Sequence, residues 1–174
     1  MGKKKSLAIT AAVLLVLIFA DQVTKQLAAA YLYEKEPIEL IPGVFELHFL
    51  INRGAAFGIM QNQQYFFTIT TCIMLCLFVY IYIRIPEKGR YQPLRALLVL
   101  LMAGAIGNLL DRVRQGYVID FFYFKWIDFP IFNVADCYVV IAVVLLALLI
   151  LFYYKEEELE ELFAHIFPGR RKKV

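Results

Sequence analysis

The strongest constraint on this chain is a set of four apolar runs, at about residues 7–30, 65–83, 94–110 and 134–154. Each approaches the ~20 residues that a helix needs to cross the hydrocarbon core of a bilayer. Backbone polar groups find no water there, so such runs must bond internally as helices. With 61% hydrophobic and 19% charged residues, the chain is too apolar for an ordinary water-soluble globule. The expected fold class is an all-α membrane protein, one integral domain over residues 1–174, with four transmembrane helices. Span one is the least simple, because its clean run from Leu7 to Ala20 must continue through Asp21 and Lys25 toward Ala30. Lys3–Lys5 before an apolar run resemble a secretory signal, but Ile18 and Ala20 before Asp21 make no small-x-small cleavage site. A retained first span is expected.

Orientation follows from the basic residues beside the spans. Lys3, Lys4 and Lys5 precede span one; Arg84, Lys88, Arg90 and Arg95 link spans two and three; Lys155 and Arg170–Lys173 follow span four. The other two connections hold only Lys35, Arg53, Arg112, Arg114 and Lys125. Both termini are therefore expected in the cytoplasm. The basic ends suit an anionic membrane surface, and no aromatic-basic pattern points to nucleic acid. Cys72, Cys76 and Cys137, an odd number within spans, read as buried thiols.

Outside the spans, residues 31–64 are too long for a plain turn. Phe45, Leu47, Phe49 and Ile51 alternate with Glu46, His48 and Leu50, the period of a strand with one apolar face. Pro42-Gly43 before them and Gly54 and Gly58 after them bound the run. A small extracytoplasmic β-containing segment between helices 1 and 2, resting on the membrane, is expected. In the tail, residues 155–174, Leu159, Leu162, Phe163 and Ile166 recur at helical spacing opposite glutamates. This reads as a short helix on the cytoplasmic membrane surface, with a flexible acidic tail as the alternative.

The predicted directions bring polar groups to one depth. Span one rises to Asp21 and Lys25, span three rises to Asn108, Asp111 and Arg112, and span four descends from Asn133 and Asp136. Asp120 lies in the outer loop between spans three and four. Ionisable groups in spans face a bundle interior or a wet cavity and pair there. Asp21 and Lys25 are spaced i,i+4, and Asn108 lies i,i+3 from Asp111 and i,i+4 from Arg112.

Plain structural explanations compete at each position. Asp21 with Lys25, or Asp111 with Arg112, reads as an ion pair at a helix end, and Arg112 can instead reach headgroups. Asn133 can cap span four with Asp136 closing a capping box. Asp120 is harder to explain away, because "YVIDFF" gives it no nearby cation and burial raises a carboxyl pKa. Asp136, at a positive helix end, ionises more readily. Two carboxyls in contrasting surroundings suit acid-base work on water. Asp128, beside Pro130, reads as a solvated turn residue. The only serine is Ser6, at the other end, and His48 and His165 lie on opposite sides, so serine and paired-histidine metal chemistry are disfavoured. Cys137 with His48 remains open, although Cys137 points ~100° from Asp136 around the helix.

The segments "DQVTK" (21–25), "NRGAAFG" (52–58), "GNLLDR" (107–112), "VIDFF" (118–122) and "FNVAD" (132–136) resemble, in order, those of lipoprotein signal peptidase, also called signal peptidase II, a bacterial intramembrane aspartyl protease family. The resemblance implies that Asp120 and Asp136 are the catalytic dyad. It also implies that Asn52, Gly54, Asn108, Arg112 and Asn133 shape the pocket, with Asp21, Lys25 and Asp111 in support. It implies a diacylated prolipoprotein substrate cut N-terminal to its lipidated cysteine, at the outer face of the bacterial inner membrane. No metal or cofactor is implied, and the expected partners are that substrate and membrane lipids, with the protein a monomer. A proton channel is a competing class, but the inner halves of the spans offer no polar route. A noncatalytic scaffold is another, through small-xxx-small packing at Ala103/Gly107 or Gly104/Asn108.

Overall fold

A computed structural model of the chain describes residues 3–54 and 63–168. Among these the order is α1 (Lys3–Leu32), β1 (Ile38–Ile41), β2 (Phe45–Asn52), α2 (Gln64–Arg84), α3 (Gln92–Gln115), β3 (Val118–Tyr123), α4 (Val134–Leu148) and α5 (Glu156–Ile166). Four helical segments among the described residues are long and apolar enough to cross a membrane: Lys5–Leu32, Gln64–Arg84, Gly89–Gln115 and Val134–Tyr153. The last runs from α4 into a terminal π-turn, Leu149–Tyr153.

α3 is the centre of the bundle and packs against α1, α2 and α4. Half of its most apolar stretch (50%) is buried, against 6–11% in the other three segments. The others present Leu, Val, Ile and Phe side chains outward, as a lipid solvent allows. Close approach to α4 depends on Ala103 and on the absence of a side chain at Gly104. A Cβ at Gly104 would lie 2.5 Å from the Ala135 carbonyl oxygen and 2.7 Å from Val139 Cγ2. The small-residue pattern at 103–107 is thus a helix contact. α3 ends at Gly116, whose φ of 77° is left-handed and whose N–H caps the Arg112 carbonyl.

The sheet differs from the sequence expectation. β1 and β2 do lie between α1 and α2, but the antiparallel sheet has the order β1-β2-β3 and takes its third strand from between α3 and α4. Asp120 is therefore a strand residue. Ile119 and Phe121 pack on Ala28 and Leu32 of α1 while Val118 and Asp120 point the other way, and all four β3 residues are buried. A strand covered on both faces shows no polar alternation, so its period is hidden. The alternation expected in β2 also fails part-way. Leu50 is exposed as its place opposite the apolar face predicts, but a register shift between Leu47 and Leu50 reverses the faces, and Glu46 is buried with Lys125 Nζ at 3.1 Å.

At the opposite end of the bundle Leu162 and Ile166 of α5 join a core with Tyr82, Ile85, Tyr91 and Tyr154. The apolar face expected to lie on a membrane is thus largely spent on the protein itself, although Phe163 stays exposed. Arg95, assigned above to a link, is buried in α3, where its Nη1 donates to the Ile85 carbonyl at 3.2 Å and its guanidinium lies over the Tyr82 ring at 4.2 Å.

Gly104→Ala drives a methyl into the α4 backbone rather than into a movable side chain. A stability loss of about 1–3 kcal/mol is expected, read as a lowered unfolding midpoint in detergent; an unchanged midpoint would show that the helices separate freely.

Candidate active site

α1, α3, β3 and α4 deliver their polar side chains to one cluster. Lys25 is its buried cation. The ammonium, 1% exposed, has Asp21 Oδ2 at 3.0 Å, Asp111 Oδ2 at 2.8 Å and Asn108 Oδ1 at 2.9 Å. Asp111 thus pairs with Lys25 and not with its neighbour Arg112, as one sequence reading had it. A second oxygen of Asp21, Oδ1, accepts the Ala135 N–H at 2.9 Å and ties α1 to the first turn of α4. Gly107 makes room for this, since a Cβ there would lie 2.5 Å from Asp21 Oδ2.

Asn108 and Asn133 carry the cluster from this ion triad to the other two aspartates. Asn108 Oδ1 faces Lys25, so its Nδ2 is left to donate to Asp136 Oδ1 at 2.8 Å. Asn133 is the N-cap of α4. Its Oδ1 accepts the Asp136 N–H and its own N–H donates to Asp136 Oδ2, both at 3.1 Å, which closes the capping box. The same side chain donates from Nδ2 to Asp120 Oδ1 at 2.6 Å and to Asn108 Oδ1 at 3.1 Å. One asparagine thus touches both Asp120 and Asp136.

Asp120 is held by neutral amides alone. Asn52 pairs with Val118 across the β2–β3 ladder, a diagonal neighbour on the Asp120 face, and its Nδ2 reaches Asp120 Oδ2 at 2.8 Å. The Gly54 N–H binds Asn52 Oδ1 at 2.9 Å and so turns the Asn52 amine toward Asp120. The remainder of that motif, Ala55–Gly58, lies outside the described residues. Burial, and then the charge of Asp136, push the Asp120 carboxyl up to about 6, against the opposing pull of the two asparagine donors.

Arg112 is half-buried with its guanidinium 5.1 Å from the Phe67 ring, within electrostatic reach of Asp136, Asp120 and Asp111. Asp128 is remote from the cluster, its carboxylate accepting the Tyr123 hydroxyl at 2.6 Å on the exposed side of the sheet. His48 packs against Glu46 and Tyr123 and has no contact with Cys137 among the described residues. Among the described residues no group of His, Cys, Asp and Glu is arranged to hold a metal.

Residues 13–152 match a family model described as signal peptidase (SPase) II. The chain belongs to the signal peptidase II family. It is 44% identical to the lipoprotein signal peptidase of Caldanaerobacter subterraneus over 72% of this chain and 83% of that one. To the lipoprotein signal peptidase of Streptococcus thermophilus it is 43% identical, over 75% and 84%. Two bacterial membrane enzymes solved by the in meso method share the fold. One has a TM-score of 0.72 at 32% identity, covering 96% of this chain and 94% of that one; the other has 0.73 at 34%, covering 84% and 95%. This member of the signal peptidase II family is therefore a bacterial membrane protease.

One site residue in this signal peptidase II chain escaped the sequence reading. Gln22 Nε2 lies 2.9 Å from Asp111 Oδ1, 3.2 Å from Asp21 Oδ2 and 3.3 Å from the Gly107 carbonyl, lacing α1 to α3 beside the ion triad. Its position inside "DQVTK" was the available signal.

Two outcomes follow from these contacts. Lys25→Met leaves Asp21 and Asp111 buried without their counter-ion, and a loss of about 3–5 kcal/mol in unfolding free energy is expected. For Asp120, the unfolded carboxyl loses its proton near 3.8 and the native one near 6. Between these values the native state binds more protons, so stability falls as pH rises and the penalty is complete above about 6. Asp120→Asn lacks this titration. Its stability relative to the parent should rise by up to about 3 kcal/mol between pH 4 and pH 7, measured by unfolding in detergent; a pH-independent difference would contradict the burial argument.

Proposed function

We propose that this protein removes the signal peptide from diacylglyceryl-modified prolipoproteins, cutting the bond N-terminal to the lipidated cysteine with water activated by Asp120 and Asp136. The single observation that carries the reading is the Asn133 side chain, bonded to Asp120 and, through its capping box, to Asp136. Two carboxyls joined through one amide can pass protons to a molecule lying against both.

Asp136 accepts two N–H bonds at the start of α4, surroundings that suit a carboxylate, and takes the proton of the attacking water. The water oxygen bonds to the scissile carbonyl carbon. Asp120, whose carboxyl is pushed up to about 6, holds a proton at higher pH than an ordinary carboxyl and gives it to the departing amide nitrogen as the carbon–nitrogen bond breaks. Asn52 and Arg112 orient the substrate backbone and meet the developing charge. The relatives' name, lipoprotein signal peptidase, supports the substrate class. The basic residues at the ends and in the middle link support a placement with both termini cytoplasmic and the carboxyl cluster near the outer surface of the inner membrane. Lipid and signal helix then reach the site from the bilayer while water reaches it from outside. The working unit in this reading is a monomer.

The test is cleavage of a diacylated prolipoprotein by purified protein. Asp120→Asn and Asp136→Asn should each lower kcat by at least about a hundredfold, with helix content retained, while Asp128→Asn keeps parental activity. Full turnover by either of the first two would overturn the mechanism; loss in the third would point to a wider site on the sheet.

A further inference from the structure

The match to the family model ends at residue 152, before α5 begins at Glu156. At the end of the bundle opposite the carboxyl cluster, a recess of about 460 Å³ opens between the last turn of α2 and the last turn of α5. Its walls are Ile83, Arg84, Ala164, His165 and Pro168. Arg84 is half-buried there; its Nε donates to the His165 carbonyl at 3.1 Å and its guanidinium stands 5.9 Å from the Tyr80 ring. The neighbouring cations are committed elsewhere. Lys88 meets Glu161 at 2.8 Å, and Arg90 grips Glu158 through two bonds of 2.8 and 2.9 Å. Among the described residues, no carboxylate lines the recess itself.

Its rim is apolar. Ile83 is 72% exposed, Phe163 59% and Phe167 43%, and the Phe167 ring stands 6.5 Å from that of Tyr80. In sequence, Arg170, Arg171, Lys172 and Lys173 follow just beyond Pro168. A cation set among aromatic and aliphatic side chains at the end of membrane-crossing helices matches the level where headgroups meet acyl chains. A basic run that follows in the sequence adds attraction to an anionic surface.

We propose that the recess between α2 and α5 binds the phosphate headgroup of an anionic phospholipid, with Arg84 as its cation and Ile83, Phe163 and Phe167 against the acyl chains. This site goes beyond the peptidase reading and does not depend on it. The lipid clamps α5 to α2, adding to the bonds from Tyr80 Oη to the Ile166 carbonyl at 2.8 Å and from Arg84 to the His165 carbonyl.

The test is lipid retention by the full-length purified protein, measured by native mass spectrometry after exchange into micelles holding phosphatidylglycerol or phosphatidylcholine. Phosphatidylglycerol should be retained preferentially. Arg84→Gln should lower its affinity about ten-fold, the loss of one charge-assisted contact. Arg84→Lys should keep most of it, and Lys35→Gln at the other end should change nothing. Because Arg84→Gln also removes a helix-end bond, the unfolding midpoint of the unmodified protein gives an independent reading. It should rise with phosphatidylglycerol and not with phosphatidylcholine. Equal retention of the two lipids, unchanged affinity in Arg84→Gln, or displacement of the lipid by inorganic phosphate at equal concentration would overturn the assignment.

Discussion

A buried ammonium sets the terms for everything around the site. Removing Lys25 from water carries a penalty of several kcal/mol, and only three acceptors held within 3.0 Å offset it. Those acceptors come from α1 and α3, so the charge fixes the register of one helix on the other. Asp21 then uses its remaining oxygen on the Ala135 N–H, which brings α4 into the same arrangement. The charge also decides the orientation of a neutral group. With its oxygen drawn to Lys25, the Asn108 amide has only its amine to offer Asp136.

Asp120 stands at the other extreme, with two amide donors and no ion pair among the described residues. Each amide is itself held, Asn52 by the Gly54 N–H and Asn133 by the Asp136 N–H. A carboxyl in such a setting is positioned without an ion pair, and the proposed mechanism uses that difference from Asp136 to divide the acid and base roles. The helix-start rule and the proton chemistry use the same atoms. Asn133 and Asp136 satisfy free N–H groups of α4 and also link the two carboxyls, so in the proposed mechanism cap and catalyst are one arrangement.

Much of this was legible in the sequence, because hydropathy gives helix direction and direction gives depth. Asp21, Lys25, Asn108, Asp111, Asn133 and Asp136 could be placed at one level from that reasoning alone. Partner choice was not legible. Whether Asp111 turns to Lys25 or to Arg112 depends on helix rotation, which α3 takes from its contacts with three neighbours. β3 was missed because both of its faces are covered, and the burial of Glu46 was missed because one irregular step between Leu47 and Leu50 reverses the faces of β2. The docking of α5 was read as membrane contact since lipid and a protein core select the same apolar stripe.

The two ends of the bundle hold charge in different ways. At the carboxyl cluster the ions are buried and mutually indispensable. At the other end Lys88–Glu161 is exposed and Arg90–Glu158 partly so, pairs that water and salt largely screen. The hold on α5 therefore comes mainly from Leu162 and Ile166 and from the α2 side chains that cap its last carbonyls. α2 takes no part in the buried hydrogen bonds of the cluster among the described residues, and its nearest approach there is Phe67 under Arg112. The buried polar ties of the cluster run through α1, α3, β3 and α4, while α2 is held by apolar packing, by Arg112 over Phe67 and Arg95 over Tyr82, by the Tyr82–Thr10 hydroxyl bond at 2.7 Å and by its two bonds to α5. If the substrate is the proposed lipidated one, its helix and acyl chains meet least resistance beside the end of α2 that carries Phe67, where among the described residues no ion pair has to break.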